Sequence, residues 1–571
     1  MLVFLRPFLL TAIFALSACT FVSDKLGVSY QNRPDPQAVF RPTTPVPRAS
    51  FKPDLSKDSF IGVAISGGGS RAANFGMAVL NELHQIGVLQ HVDAISAVSG
   101  GSIPTAFFAL NGTKESWAEE GKRVAGNNFL GAFLGKLVNP VNFTATTFTD
   151  KDRTDLLAEV LSDKVFGSKN PNFSELGVKG PMRPAVFFNA TDTTNGGERF
   201  VFSDERFFER LGSDLDKYPI AWAMASSGAF PGIFNSVTLR RFSRDPDVRK
   251  VQEGPLAERS YVHLIDGGSA DNLGTDTLTE LARAHYVDML NSGRKQSACM
   301  MIVIDSHVPG ASILDAKRSD RRNPFAAIVD LNFLDAIDSM LSNRRNTTLQ
   351  ELGIQKDLSL GRFNIDMGNG LMEYNVSAYR RVSTFKVRYY EQGGRALREP
   401  RAQPISAEMN LSNARTADVK HFECTAWHVA LEDIQSVVSW QEKDGQVRPS
   451  SMVDEAGAAL FAYRASLSRV IKQLKTNYKL DGPDQCSNEF LQNSLYDAAH
   501  IAVREDKLSL DQVCQVLNKA GLDTGGRCKV TGKALYRADY QVEPIQRPAS
   551  LIVDEQLANR FVRCAIGKDQ K

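Results

Sequence analysis

The alternation of apolar strand, glycine-rich turn and helix over residues 60–110 constrains the fold of this chain most strongly. An apolar run at 60–65 is followed by three glycines at 67–69 and then by a helical pattern. A second apolar run ends just before Ser99, and another helical pattern covers 100–110. Strands and helices that alternate with short connections predict a parallel sheet between two layers of helices, which is an α/β fold.

Strand and helix patterns continue to alternate beyond this region. Further strands are predicted at 184–191, 199–203, 260–266 and 299–305, and further helices at 219–228, 272–291 and 326–345. After about residue 440 the pattern turns helical and more polar. We therefore predict an α/β body over residues 58–440 and a mainly helical C-terminal region over residues 441–571.

The N-terminus has the features of an export signal with a lipid attachment site. Residues 1–18 carry one positive charge and an apolar run too short for a stable membrane span. The run ends in Leu16-Ser17-Ala18-Cys19, which resembles a bacterial lipobox, and Thr20 favours the periplasmic face of the outer membrane. We expect a cleaved signal peptide at 1–18 and membrane anchoring through acyl chains on Cys19; a plain secretory signal is the alternative. The Pro-rich residues 19–57 are predicted as an extended tether.

Charge and cysteine content argue against several classes of function. The chain has 67 Lys and Arg against 65 Asp and Glu and no basic run with interleaved aromatics, which argues against nucleic-acid binding. No Cys or His cluster has the spacing of a zinc site, so we predict no structural metal. We also expect no cofactor. Cys299 is predicted as a buried free thiol, and Cys514–Cys528 is the disulfide that we favour.

A serine stands at the end of the second strand, where a nucleophile would be exposed. The sequence Ala97-Val98-Ser99-Gly100-Gly101 approaches the nucleophile-elbow pattern G-x-S-x-G, with alanine in place of the first glycine. Small neighbours tolerate a strained backbone, and the N-terminus of the following helix stabilises negative charge. Ser99 is therefore a candidate nucleophile, and an ordinary strand-to-helix turn is the alternative.

The three glycines after the first strand are candidate donors to an anion. Consecutive glycines let backbone N–H groups converge, so Gly67, Gly68 and Gly69 are predicted to form an oxyanion hole. Arg71 lies just beyond and is predicted to help hold the loop. A flexible turn or a nucleotide phosphate loop is the alternative, but no Gly-Lys-Ser/Thr follows as in a Walker A loop.

A carboxylate ends the later strand at 260–266. Asp266 is followed by Gly267 and Gly268, so its side chain can lie open beside a residue at another strand end. A capping aspartate in a tight turn is the alternative. The chain thus carries, in order, a glycine run, a serine and an aspartate, each at the end of a predicted strand.

These three motifs, in this order, resemble the patatin-like phospholipase family, whose members carry G-G-G-x-R/K, then G-x-S-x-G, then D-G-G/A. The segment 221–234, "AWAMASSGAFPGIF", and Asn272 also resemble what members carry around the aspartate. The resemblance covers about residues 58–310. It implies a three-layer α/β/α fold with a mostly parallel sheet. It also implies a dyad of Ser99 as nucleophile and Asp266 as base, with Gly67, Gly68 and Gly69 as the oxyanion hole.

A Ser–Asp dyad of this kind requires no histidine. His263 lies three residues before Asp266 on the same strand and is predicted to point to the opposite face of the sheet. His307, which follows the strand at 299–305, is an outside candidate for a third catalytic residue. A structural role is the favoured interpretation of His307, because no partner is identifiable.

The activity that the resemblance implies is hydrolysis of lipid acyl esters through an acyl-serine intermediate, as in a phospholipase A or lysophospholipase. Membrane lipids are then the expected substrates. A catalytically silent lipid-binding or scaffolding lipoprotein, or a thioesterase or acyltransferase that uses the same serine, is the alternative. The apolar residues 126–148 are predicted as a core helix with a loop, and a lid or membrane-facing lip is the alternative.

Overall fold

The structure is a computed structural model that describes most of the chain between residues 57 and 529. The described residues are 32–33, 48–51, 57–242, 260–308, 332–354, 361–366, 371–376, 381–399, 418–432, 434, 440–443, 446–449, 467–468, 470–471, 474 and 487–529. The predicted signal peptide, the predicted lipidation site Cys19 and most of the predicted tether lie outside these residues.

Part of the predicted tether packs against the folded body. Residues 48–51 are buried. The guanidinium of Arg48 donates to three backbone carbonyls, those of Ala109, Leu176 and Pro184. Buried polar groups are fixed by such hydrogen bonds, so these four residues belong to the body although the sequence placed them in the tether.

Strands of the described chain form one large sheet and two hairpins. In chain order they are β1 (Ser59–Ile65), β2 (Ala94–Val98), β3 (Ala185–Asp192), β4 (Glu198–Val201), β5 (Val237–Arg241), β6 (Ser260–Asp266), β7 (Ala298–Asp305), β8 (Gly361–Asp366), β9 (Leu371–Val376), β10 (Val382–Gln392), β11 (Arg395–Leu397), β12 (Asp418–Ala430), β13 (Trp440–Lys443) and β14 (Gln446–Pro449). The hairpins are β8–β9 and β13–β14, and the other strands form the ten-stranded sheet.

The large sheet is parallel at its centre and antiparallel towards both edges. Its order is β11-β10-β12-β7-β1-β2-β3-β6-β5, with β4 paired to β3. The five strands from β12 to β3 run parallel, while β10, β11, β4, β5 and β6 join by antiparallel pairing. Parallel strands need crossover connections, and the intervening helices supply them.

The helices cover both faces of this sheet. In chain order they are α1 (Gly69–Gln85), α2 (Ser102–Asn111), α3 (Trp117–Ala125), α4 (Phe129–Leu137), α5 (Pro140–Phe148), α6 (Arg153–Phe166), α7 (Asp204–Leu211), α8 (Ile220–Ser227), α9 (Gly268–Asp271), α10 (Thr275–Asn291), α11 (Asn332–Glu351), α12 (Asn488–His500) and α13 (Lys507–Lys519). None of the helices in the part of the chain just given is both long and apolar enough to span a bilayer.

Alternating side chains of the central strands fill two separate cores. On β1, Ile61, Val63 and Ile65 pack into the core that α1, α2, α6, α8 and α12 cover. Phe60 and Ala64 of the same strand face the second core, which contains residues of α10 and α11. Residues that alternate along a strand point to opposite faces, and apolar residues on both faces indicate a strand buried on both sides. The predicted α/β class with three layers is therefore confirmed.

The disulfides correct one prediction from the sequence and confirm another. Cys299, predicted as a free thiol, is bonded to Cys424, and the two Cα atoms are 4.6 Å apart. The prediction was wrong because the sequence did not reveal β12, the strand that brings Cys424 beside Cys299 on β7. The favoured pair Cys514–Cys528 is present, with its Cα atoms 5.6 Å apart.

Candidate functional site

The register of the sheet brings the ends of five strands to one edge. Strands β7, β1, β2 and β3 are parallel neighbours, and Ile65 lies level with Ala97 and Ile304. Strand β6 is antiparallel to β3 and overlaps only the end of it, with Asp266 opposite Ala190. Since Val98 pairs with Asn189, Asp266 ends at nearly the same level as Ser99. The sheet therefore places the glycine run, the serine and the aspartate at one edge.

Ser99 occupies a strained elbow between β2 and α2. Its φ is 49°, in the left-handed region that non-glycine residues adopt at a cost of about 1–3 kcal/mol. One 3₁₀ turn, Ser99–Gly101, leads directly into α2, so the hydroxyl lies at a helix N-terminus. Only 9% of Ser99 is exposed. Strained backbone at a strand-to-helix turn is typical of a nucleophile elbow.

The hydroxyl of Ser99 lies close enough to the carboxylate of Asp266 to act as a hydrogen-bond donor that lowers its pKa. The Oδ1 of Asp266 also accepts from the backbone N–H of Gly268 at 2.8 Å. The residue is 6% exposed, and burial raises its pKa to about 6, although the two hydrogen bonds act in the opposite direction. A carboxylate with a raised pKa is a stronger base than an ordinary aspartate, which suits proton transfer from a serine.

Ser227, at the end of α8, joins the serine and aspartate segments and was not singled out from the sequence. Its Oγ accepts from the N–H of Ser99 at 2.8 Å and donates to the carbonyl of Asn189 at 2.7 Å. Its own carbonyl accepts from the N–H of Gly267 at 3.1 Å. Ser227 therefore fixes the positions of both strand ends. It lies within the segment 221–234 that resembles the patatin-like family, which is the signal that pointed to it.

The three glycines at 67–69 differ in what their N–H groups offer the site. The N–H of Gly67 donates to the carbonyl of Asn272 at 3.0 Å, so Gly67 does not present a donor to the site, contrary to the prediction. Gly68 is the N-cap of α1 and Gly69 is its first residue, where N–H groups have no intrahelical acceptor. Neither N–H has an acceptor among the described residues. Both are available to an incoming oxygen.

Two further serines orient the peptide group between Gly67 and Gly68. The carbonyl of Gly67 accepts from the Oγ of Ser306 at 2.8 Å and from the Oγ of Ser66 at 3.2 Å. The Ser66 Oγ also accepts from the N–H of Ser306 at 2.9 Å. Because C=O and N–H point in opposite directions across a trans peptide, this arrangement turns the N–H of Gly68 away from Ser306. Nothing in the sequence points to Ser306 except its place after a buried strand.

The glycines beside the serine and the aspartate are required by close backbone packing. A Cβ on Gly100 would lie 2.1 Å from the carbonyl oxygen of Gly69, and one on Gly267 would lie 2.1 Å from that of Asn189. Gly101 and Gly268 are also crowded, against Ile65 and Asn272. The predicted supporting roles of these glycines thus correspond to contacts between the three strand ends.

Arg71 and the two histidines form their hydrogen bonds with groups other than the serine–aspartate pair. Arg71 is buried in α1 and donates to the carbonyl of Leu474 at 2.8 Å, which connects α1 to the C-terminal region. The ring of His263 contacts Thr238 on β5 at 3.1 Å. The backbone N–H of His307 donates to Asp305 at 2.9 Å, and burial lowers the pKa of the His307 ring. None of the hydrogen bonds of the described residues joins either ring to Ser99 or Asp266.

A cavity of about 200 Å³ lies at the opposite edge of the sheet. It is bounded by the first residues of β1, β2 and β3 together with Lys57, Asp93 and Arg183. Lys57 pairs with Asp93 at 2.8 Å. Because the amino ends of the parallel strands line it, this cavity is separate from the serine–aspartate edge. Nor do the described residues contain a group of three His, Cys, Asp or Glu side chains that could hold a metal ion.

Comparison with known proteins places part of this chain in a family. Among solved structures, the chain is similar to human GIVD cytosolic phospholipase A2, with 13% identity and a TM-score of 0.39, over 81% of this chain and 60% of that one. The same human enzyme in complex with methyl gamma-linolenyl fluorophosphonate and terbium chloride gives 13% identity and a TM-score of 0.37, over 84% and 66%. This chain thus spans about three fifths of the length of the first. A search of curated proteins gave no match. The patatin-like phospholipase family model matches residues 63–279, which contain Gly67 to Gly69, Ser99 and Asp266, and these residues therefore form a patatin-like phospholipase domain.

Proposed function

We propose that this protein is a serine lipid acyl hydrolase of the phospholipase A or lysophospholipase type that uses Ser99 and Asp266 as a dyad. The observation that carries the proposal is the placement of the Ser99 hydroxyl beside the Asp266 carboxylate, at an elbow with a φ of 49°. The family match supports lipid acyl hydrolysis in general. The proposed substrates are the acyl esters of membrane phospholipids or lysophospholipids.

The first half of the proposed reaction forms an acyl-enzyme. The Oγ of Ser99 attacks the ester carbonyl carbon while its proton passes to the carboxylate of Asp266. Negative charge develops on the carbonyl oxygen, where the N–H groups of Gly68 and Gly69 and the N-terminus of α2 stabilise it. The alcohol of the lipid leaves with the proton from Asp266, and the acyl group remains on Ser99.

The second half releases the fatty acid. A water molecule gives a proton to the carboxylate of Asp266 and attacks the acyl carbonyl, through the same oxyanion arrangement. The Ser99 oxygen leaves and regains the proton from Asp266. Each backbone donor in such an arrangement typically contributes about 2.7–4 kcal/mol to transition-state stabilisation.

Labelling with a fluorophosphonate probe, followed by turnover assays, tests the proposal. We expect labelling of the wild type, none of Ser99→Ala, and hydrolysis of a phospholipid by the wild type alone. Asp266→Asn should lose nearly all activity yet unfold at a higher temperature at pH 7, because a buried carboxylate whose pKa is raised from 3.8 to about 6 destabilises the folded state once it ionises. Robust hydrolysis by Asp266→Asn would remove the dyad from consideration.

The same assays separate the alternatives. A folded wild type that the probe does not label would favour a silent lipid-binding or scaffolding protein. A preference for thioesters over esters, or transfer of the acyl group to an added alcohol, would favour a thioesterase or acyltransferase that uses Ser99. In each case Ser99→Ala is the matched control, since it removes one oxygen atom and leaves the backbone elbow in place.

We also propose that acyl chains on Cys19 anchor the protein to the outer membrane on its periplasmic face. The sequence Leu16-Ser17-Ala18-Cys19 followed by Thr20 supports this. The two disulfides add support, because disulfides persist in exported proteins and are rare in the reducing cytosol. Incorporation of labelled fatty acid into the wild type but not into Cys19→Ser is the expected result.

A further inference from the structure

Helices α4 and α5 expose an unusual amount of apolar side chain. Helix α4 buries Phe129 and Phe133, but no residue of α5 is buried. The exposed members are Leu134 (48% exposed), Val138 (75%), Val141 (77%), Phe143 (61%) and Phe148 (52%), and we call them the apolar patch. The prediction of a core helix for 126–148 is therefore wrong for α5. Clustered apolar side chains on a protein surface mark an interaction site.

The loop after α8 connects the apolar patch to the candidate active site. The carbonyl of Ala229 in this loop accepts from the N–H of Asp266 at 2.9 Å. Further along the same loop, the ring of Phe234 packs edge-on against Phe133 of α4, with the centroids 5.2 Å apart. Between them, Ile233 is itself exposed. One short loop thus contacts both the aspartate and the helix that carries the patch, so the patch lies beside the site.

The charges around the apolar patch favour a lipid surface as its partner. No Asp, Glu, Lys or Arg occurs between Lys136 and Asp150. Of the two lysines that flank this stretch, Lys136 pairs with Asp163 at 3.0 Å and with Glu159 at 3.2 Å, and Lys151 pairs with Glu159 at 2.5 Å. The stretch therefore offers apolar, hydroxyl and amide groups, and its flanking cations are already neutralised. Such a segment enters the headgroup region of a bilayer without the cost of burying a charge.

We propose that the apolar patch inserts into a lipid surface and holds the opening of the active site against it. The inference rests on the proposed function, because the site beside the patch would then act on lipid drawn from that surface. Insertion of this kind derives its affinity from buried apolar area and not from anionic headgroups. Phosphatidylcholine vesicles, which carry no net charge, therefore suffice for binding, and added salt leaves that binding unchanged.

Flotation with phosphatidylcholine vesicles tests this insertion directly. The full chain carries Cys19→Ser in every sample, so that no acyl anchor contributes. The double variant Val138→Asp/Phe143→Asp should bind vesicles at least about tenfold more weakly, because two charges would have to enter the apolar region. The matched control, Val419→Asp/Leu508→Asp, changes residues on β12 and α13 that are 51% and 59% exposed, and it should bind as the parent does.

Activity on two substrates separates this inference from the proposed function. Hydrolysis of a dissolved short-chain ester should stay within about twofold in the patch variant, while hydrolysis of vesicle phospholipid falls with vesicle binding. If the chain binds vesicles through the patch yet hydrolyses nothing, the proposed function fails and the insertion stands. Equal vesicle binding by the patch variant and its parent would overturn the insertion. The insertion would also be overturned if the parent bound no vesicles and formed a dimer, and the patch variant were a monomer.

Discussion

The raised pKa of Asp266 determines how activity should depend on pH. Asp266 must be deprotonated to accept the proton of Ser99, and burial raises its pKa to about 6. We therefore expect kcat/KM for a dissolved ester to rise with pH through about 6 and to level off above it. Rates measured between about pH 4 and about pH 8 check this. A profile that is flat across this range, or that bends at the ordinary aspartate value, would contradict the assignment.

Ser306 is expected to act on catalysis by orienting a peptide group. Its Oγ holds the carbonyl of Gly67 at 2.8 Å and so turns the N–H of Gly68 away from itself. Ser306→Ala should lower kcat about 10- to 100-fold with little change in KM, because the donor is needed mainly in the transition state. Ser70→Ala is the matched control: Ser70 is also buried, but its hydroxyl has no hydrogen-bond partner among the described residues. Equal kcat values for the Ser306→Ala and Ser70→Ala variants would contradict the proposed role of Ser306 in orienting the peptide group.

The site residues that could be predicted from the sequence belong to local motifs, whereas those that could not be predicted act through long-range contacts. Ser99, Asp266 and the glycines at 67–69 were found because each ends an apolar strand and has glycine neighbours, which is a local pattern. Ser227 and Ser306 act through hydrogen bonds to segments distant in the chain. A single serine carries no periodicity of its own. The sequence also could not show that the N–H of Gly67 is already hydrogen-bonded, because its acceptor is the carbonyl of the distant Asn272.

A buried ion cluster connects α11 to the sheet beside the site. Arg345 of α11 bridges Asp305, at the end of β7, and Glu432, just after β12, at 2.6 and 2.8 Å. His428 of β12 contacts the same Asp305 carboxylate at 2.9 Å. Burial alone would raise the pKa of Asp305, but the charge of Arg345 and the hydrogen bond from His428 hold it well below its usual range. Ser306 follows Asp305 directly, so this cluster also anchors the segment that orients the Gly68 N–H.

Removal of Arg345 should therefore cost much more stability than removal of its neighbour in the chain. Arg345→Met leaves Asp305 and Glu432 as buried carboxylates without their shared cation, which typically costs about 3–5 kcal/mol. Arg344→Met removes an exposed contact with Asp276, at 3.4 Å, which is worth about 1 kcal/mol or less. Thermal and urea unfolding measure both. Similar losses of stability in the two variants would indicate that the cluster contributes little.

The sequence left β5, the two hairpins and the three strands beyond β7 in the large sheet, β10, β11 and β12, undetected. In β10, Phe385 and Val387 are buried while Thr384, Lys386 and Arg388 are exposed. This is the period-two pattern of a strand with one solvated face. This pattern is present in the sequence, but the charged residues within it make the segment look less strand-like than the apolar central strands. The central strands were found because both of their faces are buried, which makes the whole run apolar.

The C-terminal helices help to support the α/β body. Gln492 of α12 donates to the side chain of Asn74 in the middle of α1 at 2.7 Å, and Arg504 pairs with Glu82 near the end of α1. Helix α1 begins at the glycines that offer the oxyanion donors. The sequence separated this region from the body by composition alone. Composition carries no information on packing between segments hundreds of residues apart.

The two disulfides of the described residues should stabilise the molecule unequally. Cys299–Cys424 closes a loop of 125 residues and joins neighbouring strands of the central sheet, whereas Cys514–Cys528 closes one of 14. If a disulfide acts mainly by restricting the unfolded chain, the longer loop should contribute more, about 4–5 kcal/mol against about 3. We therefore expect Cys299→Ser/Cys424→Ser to lower the unfolding temperature further than Cys514→Ser/Cys528→Ser, which serves as the matched control. Equal shifts would mean that the entropy of loop closure is not the dominant contribution, and that packing around β7 and β12 holds the two strands together without the covalent bond.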